Sequence, residues 1–338
     1  MPSGSSRTST GGTGGGRGRR GNIALPPAVR PFSGLPFSHV PAHRLRVGWQ
    51  RGYASSAMRT SGVERWWKFR WLVRSRKRRL KLSRDMDRDP RQVLLESHCP
   101  RKVPRILWTY WKQGEDAAPD LVKDCVASWR RLNAGWDVRV LDQGSVPRFT
   151  AMTGLPESIR VQHYTDVLRV RLLDEYGGVW ADATTLCATP LEHWLPPLMQ
   201  SGFFAFARPG PDRVIASWFL ASEPGGTLIR AWRRATDAYW LRVNRADHYY
   251  WLHYLFEWLT RENPEADVLW AGTPHISADG PHIIQRYLRR GDDAIRLNEG
   301  TDLDAIPIHK LTWKGNVSIA DVRRILRKGR FTALPRSG

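Results

Sequence analysis

Three cysteines in 338 residues, Cys99, Cys125 and Cys187, are an odd count and poor material for a disulfide framework, and they show no metal-ligand or paired spacing. Cys125 falls on the apolar face of an expected helix and Cys187 in an expected strand. Both read as buried free thiols in a reducing compartment. No run of 18 apolar residues occurs, so no segment reads as a membrane-spanning helix. The N-terminus lacks the apolar stretch of a secretory signal. There is no G-x-G-x-x-G loop. The glycine run at 11–16 precedes neither strand nor helix and lacks the Lys-Ser/Thr ending of a phosphate loop. No internal repeat is present, and no Ser-His-Asp or Cys-His arrangement stands out by spacing.

Acidic residues are also short against basic ones: 53 Lys and Arg face 32 Asp and Glu, a formal charge of +21. The imbalance is local. Residues 1–100 hold 21 Lys and Arg against 5 Asp and Glu, which is +16 of the total and leaves +5 for the rest. The charge therefore describes an appendage, and nucleic acid is not the expected partner of the folded part. A basic nucleic-acid-binding protein remains the alternative that the total charge suggests. Residues 1–60 are rich in Gly, Ser, Arg and Pro without periodicity. They cannot bury enough apolar surface to offset their ordering entropy, so they read as a disordered basic extension. Met58 reads as an alternative initiator. Residues 61–99 form a basic, Trp-rich amphipathic segment in which Trp66, Trp67, Phe69 and Trp71 mix with Arg and Lys. That mixture suits peripheral contact with an anionic membrane. It also suits a helix packed on the domain with its cations solvated, or a track along a phosphate backbone.

What is plentiful is apolar: 41% hydrophobic residues and 17 Trp, enough for a real core. From residue 100 to 338 the pattern is that of one α/β domain. Residues 106–109 read as a buried strand, 118–132 as a helix with a wide apolar stripe, and 138–141 as a second strand ending at Asp142. That β–α–β order implies a parallel sheet. Residues 165–176 read as an amphipathic helix, which Gly177 and Gly178 end by a left-handed turn. Val179, Trp180 and Ala181 then form a short strand that delivers Asp182 to its carboxyl end, the rim where open α/β sheets bind ligands. Further on, 203–207 and 215–221 read as strands, and 227–243 as an amphipathic helix. Residues 248–259 read as a buried helix, with His253 a core histidine; 307–313 as a late loop or strand; and the tail from Asp321 as a basic amphipathic helix.

Asp182 followed by Thr184 and Thr185 suits a divalent cation that holds phosphate oxygens, because hard cations take oxygen ligands. Asp182 and Thr184 are therefore the expected metal site, with Mg²⁺ or Mn²⁺ the expected ion. Asp166 and Arg169, three apart on one helix face, can offer an acceptor and a cation to one bound molecule. Asp279 and His282, in the Gly/Pro loop "ISADGPH", form a polar knot suited to acceptor binding.

The block "HYTDVLRVRLLDEYGGVWADATTL" resembles the signature of DxD-containing sugar transferases, specifically the capsular polysaccharide synthesis proteins, a group related to glycosyltransferase family 32 and the large clostridial glucosylating toxins. The resemblance continues through "VPRILWTYWKQGEDAAPDLVKDCVASW", "IASWFLAS", "HYLFEWL", "HISADGPH" and "IPIHKLTWK", from Pro104 to Lys314. It implies a GT-A-like, three-layer α/β/α domain with a mainly parallel sheet. The implied activity is glycosyl transfer from a nucleotide-diphosphate sugar to a glycan or lipid-linked acceptor in surface polysaccharide synthesis, with retention at the anomeric carbon. The implied location is cytoplasmic, peripheral on the inner face of the membrane. Residue by residue, the resemblance makes Asp182, Asp166 and Arg169 the catalytic set. Trp108, or next Trp111, stacks on the nucleotide base. Trp180, Gly177, Gly178 and Thr184 line the donor, and His309 and Lys310 lie in a closing loop over the diphosphate. Thr184 departs from the D-x-D pattern, where a second carboxylate stands. That departure keeps open a second reading, a sugar-binding relative without catalysis.

Overall fold

A computed structural model describes residues 103–290, 300–314 and 317–331. The expectations for the 1–60 extension and the 61–99 segment lie outside the described residues. Strand β1 (Ile106–Tyr110) leads through helix α1 (Asp120–Leu132) to β2 (Asp137–Leu141), and α2 (Val161–Tyr176) leads to β3 (Gly178–Ala181). After β4 (Thr185–Cys187) come two long strands, β5 (Phe203–Gly210) and β6 (Arg213–Ser222). Four helices follow: α3 (Thr227–Trp240), α4 (Trp251–Glu262), α5 (Pro264–Ala271) and α6 (Asp279–Arg290). Strand β7 (Ile308–Lys310) and helix α7 (Ile319–Leu326) complete the described chain.

The central sheet has the order β2-β1-β3-β6-β5. β1 pairs in parallel with β2 and β3, while β6 is antiparallel to both β3 and β5. Only β6 therefore runs against the others, and the sheet is mainly parallel in direction. Alternation along the strands sorts the core into two faces. Trp108, Tyr110 and Trp180 point into a cluster shared with α2, α3, α4 and α5. Leu107, Val179 and Ala181 point into the opposite cluster, with Trp129 of α1, Trp194, Phe204 and Phe219. Helices thus cover both faces, the three-layer arrangement expected. β4 and β7 make a separate antiparallel ribbon beside the sheet, with Thr185 opposite Lys310.

α2 differs from its expected amphipathic form. It starts at Val161, and it packs on α3 as well as on β1, β3 and β6. His163, Asp166, Arg169 and Arg171 are buried along with its leucines and valines. A helix covered on both sides must carry its polar groups inside, where each needs a partner. It ends at Gly177 (φ 66°) and Gly178 (φ 89°). A Cβ on Gly178 would lie 2.4 Å from the Ile106 carbonyl oxygen, so β3 can sit this close to β1 only with glycine there. The stretch around Asp279, expected as a loop, is the first turn of α6, where Pro281 needs no amide partner. Among the described residues no helix is long and apolar enough to cross a membrane.

Candidate active site

Because side chains alternate along β3 and beyond, Asp182 follows Trp180 to the α2 side of the sheet and meets Asp166 and Arg169 there. Arg169 Nη2 lies 3.3 Å from Asp182 Oδ1, and its Nη1 lies 3.4 Å from Asp166 Oδ1. The guanidinium is fixed from behind as well. Nη1 donates to the Ser217 carbonyl and hydroxyl oxygens, both at 2.7 Å, and Nε donates to the Thr165 carbonyl at 3.2 Å. The Trp180 indole N–H donates to Asp182 Oδ1 at 3.0 Å, and that of Trp251 to Asp166 Oδ2 at 3.1 Å. From the β4–β7 ribbon, Lys310 Nζ reaches Asp182 Oδ2 at 3.2 Å and donates to Thr184 Oγ1 at 2.6 Å.

Two carboxyls and two cations therefore meet at one place, and their environments pull the two carboxyls apart. Burial pushes Asp166 up to about 7, against the opposing charge of Arg169; the nearby Asp182 adds to the rise. Burial also opposes ionisation of Asp182. The charges of Lys310 and Arg169 and the N–H donors of Trp180 and Lys310 outweigh it and hold that carboxyl below its ordinary range. Asp182 keeps 26% of its side chain open to solvent, against 6% for Arg169. Asp182 is thus the more open of the two, and Arg169 stands behind it as a strut. Burial raises the phenol of Tyr249, and the charges of Asp166 and Asp182 add to the rise.

The sequence expectations divide here. Asp166, Arg169, Asp182, Thr184 and Lys310 come together. Trp180 is fully buried and carries the Asp182 hydrogen bond and the Arg169 guanidinium, 5.2 Å from its ring, so it is the floor beneath the carboxylate and not a donor contact. Trp108 is a correction. It is fully buried on the α2 side, its N–H donates to the Gly177 carbonyl at 3.0 Å, and Phe149 and Tyr176 pack on its ring, leaving no face for a base. Trp111, at the carboxyl end of β1, is half-buried and meets Trp313, 48% exposed, edge-on at 5.7 Å. Gly177 and Gly178 are corrected too, since they stand at the amino end of β3 and serve the turn. His309 alternates away from Lys310 on β7 and is fully buried, with neither ring nitrogen hydrogen-bonded. Burial lowers it to about 4, and a ring with no exposed surface is out of reach of a phosphate at the rim. Asp279 pairs with Arg286 of its own helix. The His282 Nδ1 lies 2.6 Å from the Ala278 carbonyl, and its ring meets Trp218 edge-on. Both side chains are engaged within α6 and its packing instead of forming an acceptor loop.

Sequence reasoning missed Ser217 and Trp251. Ser217 and Trp251 hold their charged partners across 48 and 85 residues, and no local spacing announces such a pair.

The expected Mg²⁺ or Mn²⁺ ion meets a poor donor set. Among the described residues no group of three or more His, Cys, Asp or Glu side chains is placed to hold a metal. At Asp182 there are one carboxylate and one hydroxyl, and the Lys310 ammonium bonds both. A divalent ion would have to expel a cation from the two ligands it needs, so the residues present do not fit it.

The family model described as "Capsular polysaccharide synthesis protein" matches residues 72–328. The chain is 28% identical over 169 residues to the O-glycosyltransferase braB of Annulohypoxylon truncatum, covering 43% of this chain and 40% of that protein. It is 30% identical to the O-glycosyltransferase PaGT of Phomopsis amygdali, covering 39% and 38%. It is 31% identical to the glycosyltransferase afumC of Aspergillus fumigatus, covering 40% of each. The matches thus span about two fifths of these curated relatives.

Proposed function

The chain belongs to the capsular polysaccharide synthesis protein family, and from that premise we propose that it is a glycosyltransferase using a nucleotide-diphosphate sugar. The acceptor in this reading is a hydroxyl of a growing surface polysaccharide or lipid-linked glycan. The names of two relatives, both O-glycosyltransferases, support an oxygen acceptor. A station on the inner face of an anionic membrane belongs to the same reading, on the strength of the aromatic and basic residues at 64–82.

One observation carries the proposal: an open carboxylate at the rim of parallel strands flanked by two fixed cations, Arg169 and Lys310. When the sugar C1–O bond breaks, its electron pair goes to the diphosphate oxygen, and preorganised positive charge stabilises what accumulates there. The acceptor oxygen forms the new bond to C1, and its proton passes to the departing phosphate oxygen. That route needs no protein base, in keeping with the surroundings. His253 is held near 3, chiefly by burial, and Asp166 is locked to Arg169 and Trp251. Departure and attack on one face of the sugar give retention.

The test is release of nucleoside diphosphate by the full chain from a panel of UDP-, GDP- and ADP-sugars. Turnover with at least one donor, lost in Asp182→Asn, is expected, and proton NMR of the product's anomeric centre reads the stereochemistry. Should every donor stay intact and Asp182→Asn behave as the parent does, the chain is a sugar-binding relative without catalysis.

A further inference from the structure

We propose that Lys310 is the resident cation of this site, so that the chain binds its nucleotide diphosphate without a divalent metal. The inference rests on the glycosyltransferase reading and deepens it. Lys310 is not a loose surface lysine. Its backbone is paired with Thr185 in the β4–β7 ribbon, and the next residue, Leu311, donates its N–H to the Thr184 carbonyl at 2.8 Å. The Leu311 carbonyl in turn accepts from the Gln285 side chain of α6 at 2.9 Å. The ammonium is thereby aimed at the turn that follows β3, with 14% of its side chain exposed.

There it bonds Asp182 Oδ2 and Thr184 Oγ1, the two atoms that would ligate an ion. An ammonium carries three N–H donors. Two are engaged, and the third remains for a phosphate oxygen. The charge balance agrees with the geometry. A divalent ion on two carboxylates makes a neutral set, and one carboxylate, one hydroxyl and one ammonium also make a neutral set. Thr184 then belongs with Lys310: a carboxylate there would add an uncompensated negative charge where the diphosphate must come. Arg169 does not serve the same purpose, because its donors are committed to Asp166, Asp182, Ser217 and Thr165. In the transfer step Lys310 gives a hydrogen bond to the oxygen that receives the electron pair and keeps its own proton.

Calorimetric binding of UDP and of GDP to the full chain, each with EDTA and again with Mn²⁺, tests this. The expected result is that at least one nucleotide binds equally in both conditions. Lys310→Met weakens that binding on the order of tenfold to a hundredfold, the worth of a hydrogen bond to a charged group, and Lys310→Arg restores part of it. Electron paramagnetic resonance of added Mn²⁺ shows no stoichiometric site in the parent chain. The double variant Lys310→Met/Thr184→Asp gains a site and with it Mn²⁺-dependent nucleotide binding. Binding that appears only with Mn²⁺, or a stoichiometric Mn²⁺ site in the parent that Asp182→Asn removes, overturns the inference and leaves the glycosyltransferase reading standing. Failure of both nucleotides under both conditions overturns the inference, and the donor-turnover panel then decides the glycosyltransferase reading. The parent chain alone decides these outcomes, so an unfolded variant does not blunt the test.

Discussion

Arg169 and Asp182 face each other from a helix and a strand end, Nη2 to Oδ1 at 3.3 Å, and the same guanidinium holds Asp166 with its other arm. One buried side chain thus sets the separation of two carboxylates that would otherwise repel. Arg169→Ala should leave a buried charge unpaired and cost about 3–5 kcal/mol of stability, read as a fall in denaturant midpoint. Arg169→Lys keeps the charge but not the fork that reaches both carboxylates and Ser217. It should fold with a smaller loss, yet lose donor turnover. Parent-like turnover in Arg169→Lys would show that the bidentate geometry is irrelevant.

Trp108 and Trp180 are both fully buried on the same face of neighbouring strands, but their indole N–H groups end differently, one on the Gly177 carbonyl and one on Asp182. Trp108→Ala is expected to cost about 3–5 kcal/mol as a core truncation, while the folded fraction binds nucleotide with unchanged affinity. Trp180→Phe retains most of the packing and removes a donor that helps hold the Asp182 carboxyl low. The expected result is a reduced kcat and an acidic limb of the pH–rate profile moved upward, with little change in thermal midpoint. An unmoved limb would show that the Trp180 hydrogen bond does nothing for Asp182.

Gly178 gives the sharpest backbone test. Its φ is 89°, and an added Cβ would press on the Ile106 carbonyl oxygen, a backbone atom that cannot step aside without moving β1. Gly178→Ala should destabilise by more than about 1 kcal/mol and shift the strand that presents Asp182, so turnover should fall in parallel with thermal midpoint. Gly300, whose φ is 80° and whose Cβ would meet nothing, is the control for positive φ without a clash.

Much of this frame was legible from periodicity. β1, α1, β2 and β3 appear where alternation and the 3.6-residue repeat put them, and the acidic residue at the end of β3 follows from counting out from Trp180. Choosing between Trp108 and Trp111 required knowing that β1 continues to Tyr110, so that only the residue beyond it reaches the rim. His309 and Lys310 sit side by side in sequence and on opposite faces in the fold. Once that segment is a strand, both cannot line one pocket. Gly280 and Pro281 looked like a loop because glycine and proline usually interrupt helices, whereas proline is at home in a helix's first turn. The closing contacts from Ser217 and Trp251 come from distant chain and leave no local trace.

Asp166 supplies a pH dependence with a definite sign. Burial raises its carboxyl from the ordinary 3.8 to about 7. The folded chain therefore holds a proton across that interval that the unfolded chain has already released, and stability falls as pH rises through it. The favourable contribution is complete below 3.8 and gone above about 7, with a span on the order of 4 kcal/mol. Asp166→Asn keeps an oxygen for the Trp251 N–H and cannot ionise, so its stability should lack this slope. Denaturant melts of parent and variant should converge or cross as the buffer is made more alkaline, the variant gaining relative to the parent. If the difference between them is flat with pH, Asp166 is ionised throughout, and the site around Arg169 carries one more negative charge.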